Sequence, residues 1–364
     1  MNIPNELINY FNNFLRTGCI INGTPCNLNE IEELGWYNFS TQVRTCVPLK
    51  LYKYFPNTEK IIDRKSINYS ILALENNTVF MQSPLNFDDI YDSDITIDFD
   101  VFEKNRLIEY CRRCGIVINK DTATNEIGNT FLQFIMQSLQ NNMSYENIFT
   151  VKPETEIEKL ENQLFYKSLY SEMLKTEDLG TGVKNVIIQE YSDFNIHLKN
   201  IFRVSCFATT PYSQLMWGGD YADQHRGFCV EYTILPNDSD YTRIYYNLFP
   251  MIYCKTRPNV SELFTDMRTS KISEERLWNI YFHGALRKSI DWAFQNEWRL
   301  LLPLQSQNIQ DYNIKFFPIS KVFIGNRMST EKRNQIIDIC RKKNIPYMGI
   351  KKNPILFEMQ DCEI

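Results

Sequence analysis

The chain has 364 residues, of which 43% are hydrophobic and 23% charged, and its formal net charge is −5. Such a composition is that of an ordinary globular protein, and the length allows one large domain or two smaller ones. The acidic balance disfavours a general nucleic-acid binder, because such proteins usually carry a basic surface.

The sequence shows no signal for a membrane or a secreted location. No stretch approaches 18 consecutive apolar residues, and the first residues lack the charged and apolar regions of a secretory signal. The ten cysteines are scattered without a framework spacing, which is typical of reduced, mostly buried thiols. We therefore predict a cytoplasmic protein with no membrane partner.

The first third of the chain predicts a helical cap followed by the start of a sheet. Residues 1–50 form the predicted N-terminal helical cap, with an apolar helical stripe in 6–15. Residues 51–55 are then predicted to form a strand that ends at a proline. Residues 68–74 are predicted to form a helix, and 78–83 a second strand.

Helical periodicity replaces the strand pattern over residues 100–202. Phe131 and Ile135 belong to one apolar stripe and Leu164 and Leu169 to another. We interpret this region as a helical insertion or lid subdomain. It follows an acidic loop, 87–94, which we expect to be solvated.

Strand patterns return at residue 203 and continue to the end of the chain. The predicted later elements are strands at 203–208, 228–232, 248–254, 297–302, 321–324, 346–350 and 355–359, and helices at 274–294 and 329–343. Together the elements predict an α/β (α+β) fold with a central mixed or split sheet. Its core domain is 51–99 with 203–364.

The richest segment lies between two of these strands, at residues 203–234. Its connection holds Trp217, Tyr221 and His225 beside two adjacent glycines, and Glu231 interrupts the apolar strand that follows. Because binding and catalytic side chains are commonly presented on such connections, we place a candidate site here.

A set of motifs in fixed order resembles the bacterial domain-of-unknown-function family 2971 over roughly residues 51–350. The motifs are Leu51-Tyr52-Lys53-Tyr54, Ser83-Pro84 with the acidic loop, Met216-Trp217, Tyr221-Ala222-Asp223, His225-Arg226-Gly227-Phe228-Cys229-Val230-Glu231 and Glu297-Trp298-Arg299. The family's loop of Asn-Asp-Pro-Phe-Asp type reads Asp-Asp-Ile-Tyr-Asp here. Its usual histidine after the Met-Trp pair is replaced by Gly218-Gly219-Asp220. The resemblance implies a role in bacterial conflict or phage defence.

Three polar residues from three predicted strands are ordered as in ADP-ribosyltransferases. There a basic residue holds the nicotinamide ribose region, a Ser or Tyr comes from the second strand, and a late Glu steadies an oxocarbenium-like transition state. Lys53, Ser83 and Glu297 are the matching residues, although Lys lacks the planar donors of Arg. Tyr52 and Arg299 complete the predicted nucleotide site. Arg299 shares a face with Glu297, because strand side chains alternate.

Other interpretations of the same residues remain open. Lys53 and Glu297 are also explained as ordinary strand-end charges. His225 is a candidate general base, or it orients its loop by hydrogen bonds. Lys288 is predicted to lie on the helix before Glu297, facing the same junction.

We therefore expect a cytoplasmic phage-defence effector that acts on NAD or another nucleotide in an ADP-ribosyltransferase-like manner. Its catalytic candidates are Glu297, Ser83, His225 and Glu231, and its cofactor-binding candidates are Lys53, Tyr52, Trp217, Tyr221 and Arg299, with no metal. Its partners are a nucleotide or small-molecule ligand, a protein or nucleic-acid acceptor and a regulatory protein. The alternatives are a non-catalytic ligand-sensing or protein-binding module, which would use the Trp217 loop, and a metal-dependent nuclease.

Overall fold

The computed structural model describes residues 18–141, 143–152, 156–175, 179–261, 274–303 and 311–364. The strands are β1 (Gly18–Ile21), β2 (Thr24–Asn27), β3 (Lys50–Phe55), β4 (Lys60–Ile62), β5 (Lys65–Ile67), β6 (Thr78–Met81), β7 (Phe202–Ala208), β8 (Phe228–Thr233), β9 (Leu248–Pro250), β10 (Ile252–Cys254), β11 (Arg287–Ser289), β12 (Glu297–Pro303), β13 (Tyr312–Lys315), β14 (Ile319–Ile324), β15 (Tyr347–Lys352) and β16 (Met359–Cys362). The helices are Leu28–Val43, Tyr69–Asn76, Phe99–Arg113, Thr124–Gln140, Tyr145–Ile148, Glu156–Lys175, Leu179–Asn200, Gln214–Gly218, Thr242–Tyr246, Glu274–Ala285 and Thr330–Lys342.

The central element is an eight-stranded mixed sheet with the order β16-β15-β14-β8-β3-β7-β12-β9. All neighbours are antiparallel except β14 and β15, which run parallel and are joined by the helix Thr330–Lys342. That helix begins at the N-cap Ser329, whose side chain accepts the N–H of Lys332. The predicted α/β class with a central mixed sheet is confirmed.

The sheet narrows between β3 and β7. These two strands pair only at Tyr52 and Ala208, whereas β7 pairs with β12 over seven residues. The side chain of Lys53 lies where β3 and β7 separate, and its Nζ donates to the carbonyl of Cys206 at 3.0 Å.

The predicted N-terminal helical cap is wrong for residues 18–27, which form a hairpin. Strands β1 and β2 join β10 and β11 in a second sheet of order β11-β10-β1-β2. The hairpin turns at Asn22 and Gly23, with φ of 49° and 75°, and Asn-Gly is the residue pair that such a two-residue turn favours. The predicted helix at 6–15 lies outside the described residues.

Three other predicted elements differ from the structure. The helix expected over 274–294 ends at Ala285, because β11 pairs with β10 and a short 3-10 helix follows. The strand expected over 248–254 is divided at Met251 between the two sheets. Residues 355–358 are an exposed loop, and the last strand begins at Met359.

The described chain divides into two compact units. The first holds both sheets and comprises residues up to 94, 199–257 and 281–364. The second is helical and comprises 95–198 with 258–280. The predicted insertion, 100–202, begins and ends a few residues later and lacks the segment 258–280, which was assigned to the core domain. Phe131 and Ile135 lie in the core of the helical unit, as their spacing indicates. None of the helices in the described part of the chain has both the length and the apolar content to cross a membrane.

Candidate functional site

Four charged side chains meet beside the first residues of β12. We call Asp92, Lys288, Glu297 and Arg299 the ion cluster. Arg299 donates through Nη1 and Nη2 to both carboxylate oxygens of Asp92, at 2.8 and 2.5 Å, and through Nε to Glu297 Oε1 at 2.6 Å. Lys288 Nζ lies 3.2 Å from Glu297 Oε2 and 3.2 Å from Asp92 Oδ2.

Strand geometry explains how the cluster assembles. Glu297 and Arg299 are two residues apart on β12, so their side chains leave the same face. Lys288 comes from β11, where it is the register partner of Tyr253. The hydroxyl of that tyrosine accepts the backbone N–H of Glu297 at 2.8 Å, which ties the two sheets together at the cluster.

The cluster is buried and its charges cancel. Arg299 is 0% exposed, Asp92 1% and Glu297 5%. Burial by itself would raise the pKa of Glu297, but Arg299 and Lys288 outweigh that effect and lower the pKa to about 2. Burial opposes the charge of Lys288 as well, yet Glu297 and Asp92 raise its pKa above the usual value. Against the effect of burial, Asp92 and Glu297 likewise raise the pKa of Arg299, so Glu297, Lys288 and Arg299 are charged at neutral pH.

A chain of hydrogen bonds connects the cluster to the surface. Lys288 Nζ donates to Gln295 Oε1 at 2.9 Å, and Gln295 Nε2 donates to the hydroxyl of Tyr221. Tyr221 is 39% exposed. The ring of Trp292 lies 5.1 Å from Lys288 Nζ, and Trp292 is only partly buried. Two aromatic side chains with some exposure thus lie along this chain, Trp292 against Lys288 and Tyr221 at the outer end.

A cysteine lies next to the cluster on the neighbouring strand. Cys206 of β7 is the register partner of Arg299, and the Glu297 carboxylate affects its pKa. Burial and the charge of Glu297 raise the pKa of Cys206 to about 12. Its thiol is therefore protonated at neutral pH.

Lys53 belongs to the other face of the sheet from Glu297. Tyr52, Ala208 and Glu297 are successive register partners, so they share a face, and Lys53 follows Tyr52 by one residue. Lys53 Nζ donates to Ser205 Oγ at 3.0 Å and lies 5.2 Å from the Phe207 ring. Burial lowers its pKa. The structure does not bring the predicted pair into one cleft.

Ser83 also lies apart from the ion cluster. Its hydroxyl donates to the Lys199 carbonyl at 3.1 Å and caps a 3-10 helix, while its backbone N–H donates to Asp311. The strand before it, β6, pairs with β13 in a separate two-stranded sheet. These contacts give Ser83 a role in holding the chain at this turn.

Glu231 forms a second buried polar group on β8. Its carboxylate accepts from Lys50 Nζ at 2.8 Å, from the Tyr52 hydroxyl at 2.9 Å and from Ser320 Oγ at 2.7 Å. Four residues lie opposite one another in turn across β8, β3, β7 and β12: Glu231, Tyr52, Ala208 and Glu297. At about 4.8 Å per strand, the two glutamates are roughly 14 Å apart.

Trp217 and His225 shape the connection that carries Tyr221. Trp217 is fully buried, and its indole N–H donates to the Pro211 carbonyl at 2.6 Å. The His225 ring stacks on it with centroids 6.3 Å apart, and among the described residues its Nδ1 has no hydrogen-bond partner. Burial and then Arg327 lower the pKa of His225. Both residues support the loop rather than entering the ion cluster.

The backbone of this connection takes an uncommon path. Asp223, Gln224 and His225 are successive residues with φ of 47°, 51° and 71°, a left-handed conformation that costs non-glycine residues energy. Gly227 and Gly325 pack against it so closely that a Cβ on Gly325 would lie 2.2 Å from the His225 carbonyl oxygen. The loop is therefore held by its surroundings.

The sequence analysis placed Glu297, Arg299 and Lys288 at one junction and Tyr221 in the same site, and the structure connects these four residues. It did not predict that Asp92, Gln295 and Cys206 lie beside them. The expectation of a solvated acidic loop is wrong for Asp92, which is buried against Arg299. A carboxylate 205 residues before Glu297 leaves no local signal of this pairing.

The comparisons with known proteins add no relative. No family model, curated protein or solved structure matches this chain. The resemblance to family 2971 therefore stays a prediction. Among the described residues, no group of three or more His, Cys, Asp or Glu side chains is arranged to hold a metal ion.

Proposed function

We propose that this chain is an enzyme that acts on NAD or another nucleotide in an ADP-ribosyltransferase-like manner, with Glu297 as its central residue. The observation that carries the proposal is the buried carboxylate of Glu297, which is 5% exposed and is held by Arg299 at 2.6 Å and by Lys288 at 3.2 Å. Against the effect of burial, these two cations lower the pKa of the carboxyl group, which favours its ionised form at neutral pH. The carboxylate acts as a fixed negative charge, which an oxocarbenium-like transition state requires.

The contacts of Glu297 indicate how a ribose would engage it. Oε1 is bound by Arg299 at 2.6 Å, whereas the Lys288 contact to Oε2 is longer, at 3.2 Å. A ribose hydroxyl would replace the longer contact and leave the Arg299 pair in place. Tyr221 and Trp292 would stack on the nicotinamide or base, since aromatic rings accept any flat ring system.

This assignment changes the predicted roles. Lys288 replaces Lys53 as the cation beside the glutamate, and Ser83, His225 and Glu231 stay outside the reacting centre. Tyr52 and Trp217 support the same face of the sheet. The role in phage defence rests on the family resemblance, the protein or nucleic-acid acceptor on the transferase analogy, and the cytoplasmic location on the scattered cysteines, which lack a framework spacing.

The proposal is tested by expressing the chain in bacteria and measuring cellular NAD. Wild type should deplete NAD and slow growth, whereas Glu297→Gln should leave NAD near its normal level, because the fixed charge is lost while size is kept. Glu109→Gln is the matched control. Glu109 is also a buried carboxylate with two arginine partners, but it lies in the helical unit.

When the two proteins are equally abundant in the cell, Glu109→Gln should deplete NAD as much as wild type does. Equal depletion by Glu297→Gln would remove Glu297 from the chemistry.

A second candidate is a non-catalytic module that senses a ligand. The observation in its favour is that the four charges of the ion cluster pair with one another, as in a structural network. An unchanged NAD level with wild type, together with ligand binding that Tyr221→Ala weakens, would favour the module over the enzyme.

A further inference from the structure

Three cysteines form a row across three neighbouring strands of the four-stranded sheet. Cys19 of β1 is the direct register partner of Cys26 of β2. On its other side β1 pairs with β10, with Ile20 opposite Tyr253 and Ile21 opposite Ile252. One more step of this antiparallel register sets Cys19 opposite Cys254.

The three thiols differ in accessibility. Cys19 is 0% exposed and Cys254 3% exposed, whereas Cys26 is partly exposed on the edge strand β2. Cys254 Sγ donates to the Thr256 carbonyl at 3.1 Å, and Cys26 Sγ donates to Thr24 at the longer distance of 3.4 Å. Cys26 is therefore the thiol that a solute meets first, with Cys19 directly beside it.

We propose that Cys19 and Cys26 are a modification site, at which a peroxide converts the two thiols to a cross-strand disulfide. Directly opposite residues of an antiparallel pair have Cβ atoms about 4.5–5.5 Å apart, and a disulfide needs about 3.5–4.5 Å. Closing the bond requires β2 to move by about 1 Å. Among the described strands β2 is bonded on one side only, so it can make that movement.

The reaction balances with hydrogen peroxide as the oxidant. The Cys26 thiol releases its proton, and the thiolate attacks one peroxide oxygen. The O–O bond breaks and a sulfenic acid forms, while the leaving hydroxide takes up the released proton as one water. The Cys19 sulfur then attacks the Cys26 sulfur, the S–O bond breaks, and the leaving hydroxide takes the Cys19 proton as a second water. Burial raises the pKa of both thiols, that of Cys19 to about 12, so the rate should increase with pH.

The cross-link would close a hairpin that touches β12. Asn22, in the hairpin turn, accepts the indole N–H of Trp298 at 3.1 Å, and Trp298 lies between Glu297 and Arg299. Oxidation should therefore stiffen a contact next to the ion cluster. The disulfide itself does not depend on the proposed enzymatic activity.

Peptide mapping of the full-length protein tests the proposal. Trypsin releases residues 17–44 as one peptide that contains Cys19 and Cys26 and no other cysteine, and Cys254 lies in the peptide 244–255. After hydrogen peroxide and alkylation, peptide 17–44 should carry no alkyl group and be about 2 Da lighter than its reduced form. Dithiothreitol should restore two alkylation sites, and the melting temperature should be higher before reduction than after it.

Two variants make the test specific. Cys26→Ser should abolish the 2 Da loss, and Cys114→Ser, at a buried cysteine directly after the helix Phe99–Arg113, should leave it unchanged. A peptide 17–44 that remains doubly alkylated after oxidation would overturn the proposal. So would oxygen addition at Cys26 with Cys19 still alkylated, or a link to peptide 244–255. The wild-type map alone decides the outcome if a variant does not fold.

Discussion

Replacing Arg299 with methionine should destabilise the protein by about 3–5 kcal/mol. The substitution keeps the length of the side chain but leaves Asp92 and Glu297 buried with Lys288 as the one cation of the ion cluster. The substitution removes the pair of hydrogen bonds to Asp92 and the bond to Glu297, together with the bonds of Nη1 to the Ala285 carbonyl at 2.8 Å and to Ser93 Oγ at 3.2 Å. Urea unfolding of wild type and Arg299→Met measures the difference.

The matched control is Arg341→Met. Arg341 is paired with Asp338 at 3.9 Å, but its side chain is 67% exposed. Its loss should therefore change the free energy of unfolding by no more than about 0.5 kcal/mol. Equal losses of unfolding free energy in the two variants would show that the buried ion pairs of Arg299 stabilise the fold no more than an exposed pair does.

The effect of Arg299→Met should depend on pH in a defined direction. The pKa of Glu297 is lowered in the folded state, so its contribution to stability is complete above the unfolded value of about 4.5 and is lost as the pH falls towards 2. The difference in the free energy of unfolding between wild type and Arg299→Met should therefore decrease as the pH falls from about 4.5 towards 2. A difference that increases on acidification would contradict the assigned ionisation.

Gly325→Ala should cost about 3 kcal/mol or more, because the new Cβ meets only backbone. It would lie 2.2 Å from the His225 oxygen, 2.7 Å from the Gly227 oxygen and 2.8 Å from the His225 carbonyl carbon. The left-handed loop would have to move, and Tyr221 with it. Urea unfolding measures the cost, and the fluorescence of the protein reports the displaced aromatic side chains.

Gly128→Ala is the control for the same chemical change. A Cβ on Gly128 would meet only the Leu107 side chain at 3.7 Å, an ordinary contact. Gly128 lies inside the helix Thr124–Gln140, where alanine is preferred by about 1 kcal/mol. The two alanine variants should therefore shift stability in opposite directions. If Gly325→Ala left the free energy of unfolding unchanged, the close packing of Gly325 against the His225 backbone would not be what fixes the loop.

Local patterns predicted much of the fold. Strands β3, β7 and β12 begin and end within one or two residues of the predicted bounds, because their apolar runs are bounded by turn or proline signals. The Asn22-Gly23 turn signal was equally local but was overlooked. The end of the helix at Ala285 was not predictable in this way, since β11 forms only through pairing with β10.

The sequence predicted the site only where the alternation of side chains along one strand determines which residues share a face. Glu297 and Arg299 share a face, as their spacing indicates. Which face Lys53 takes depends on the register of β3 against β7, and one residue of shift reverses the answer. The pairing of Asp92 with Arg299 spans 207 residues and depends on the folded loop.

The most direct test of the central claim is nicotinamide release from NAD by the purified protein, measured with candidate protein and nucleic-acid acceptors. Wild type should release nicotinamide, and Glu297→Gln should slow the release by about 10²–10³-fold, as expected when one well-placed electrostatic stabiliser is removed. Unfolding curves of the two proteins confirm that the variant is folded. Absence of nicotinamide release from wild type with every acceptor, together with no NAD binding by calorimetry, would contradict the proposed function.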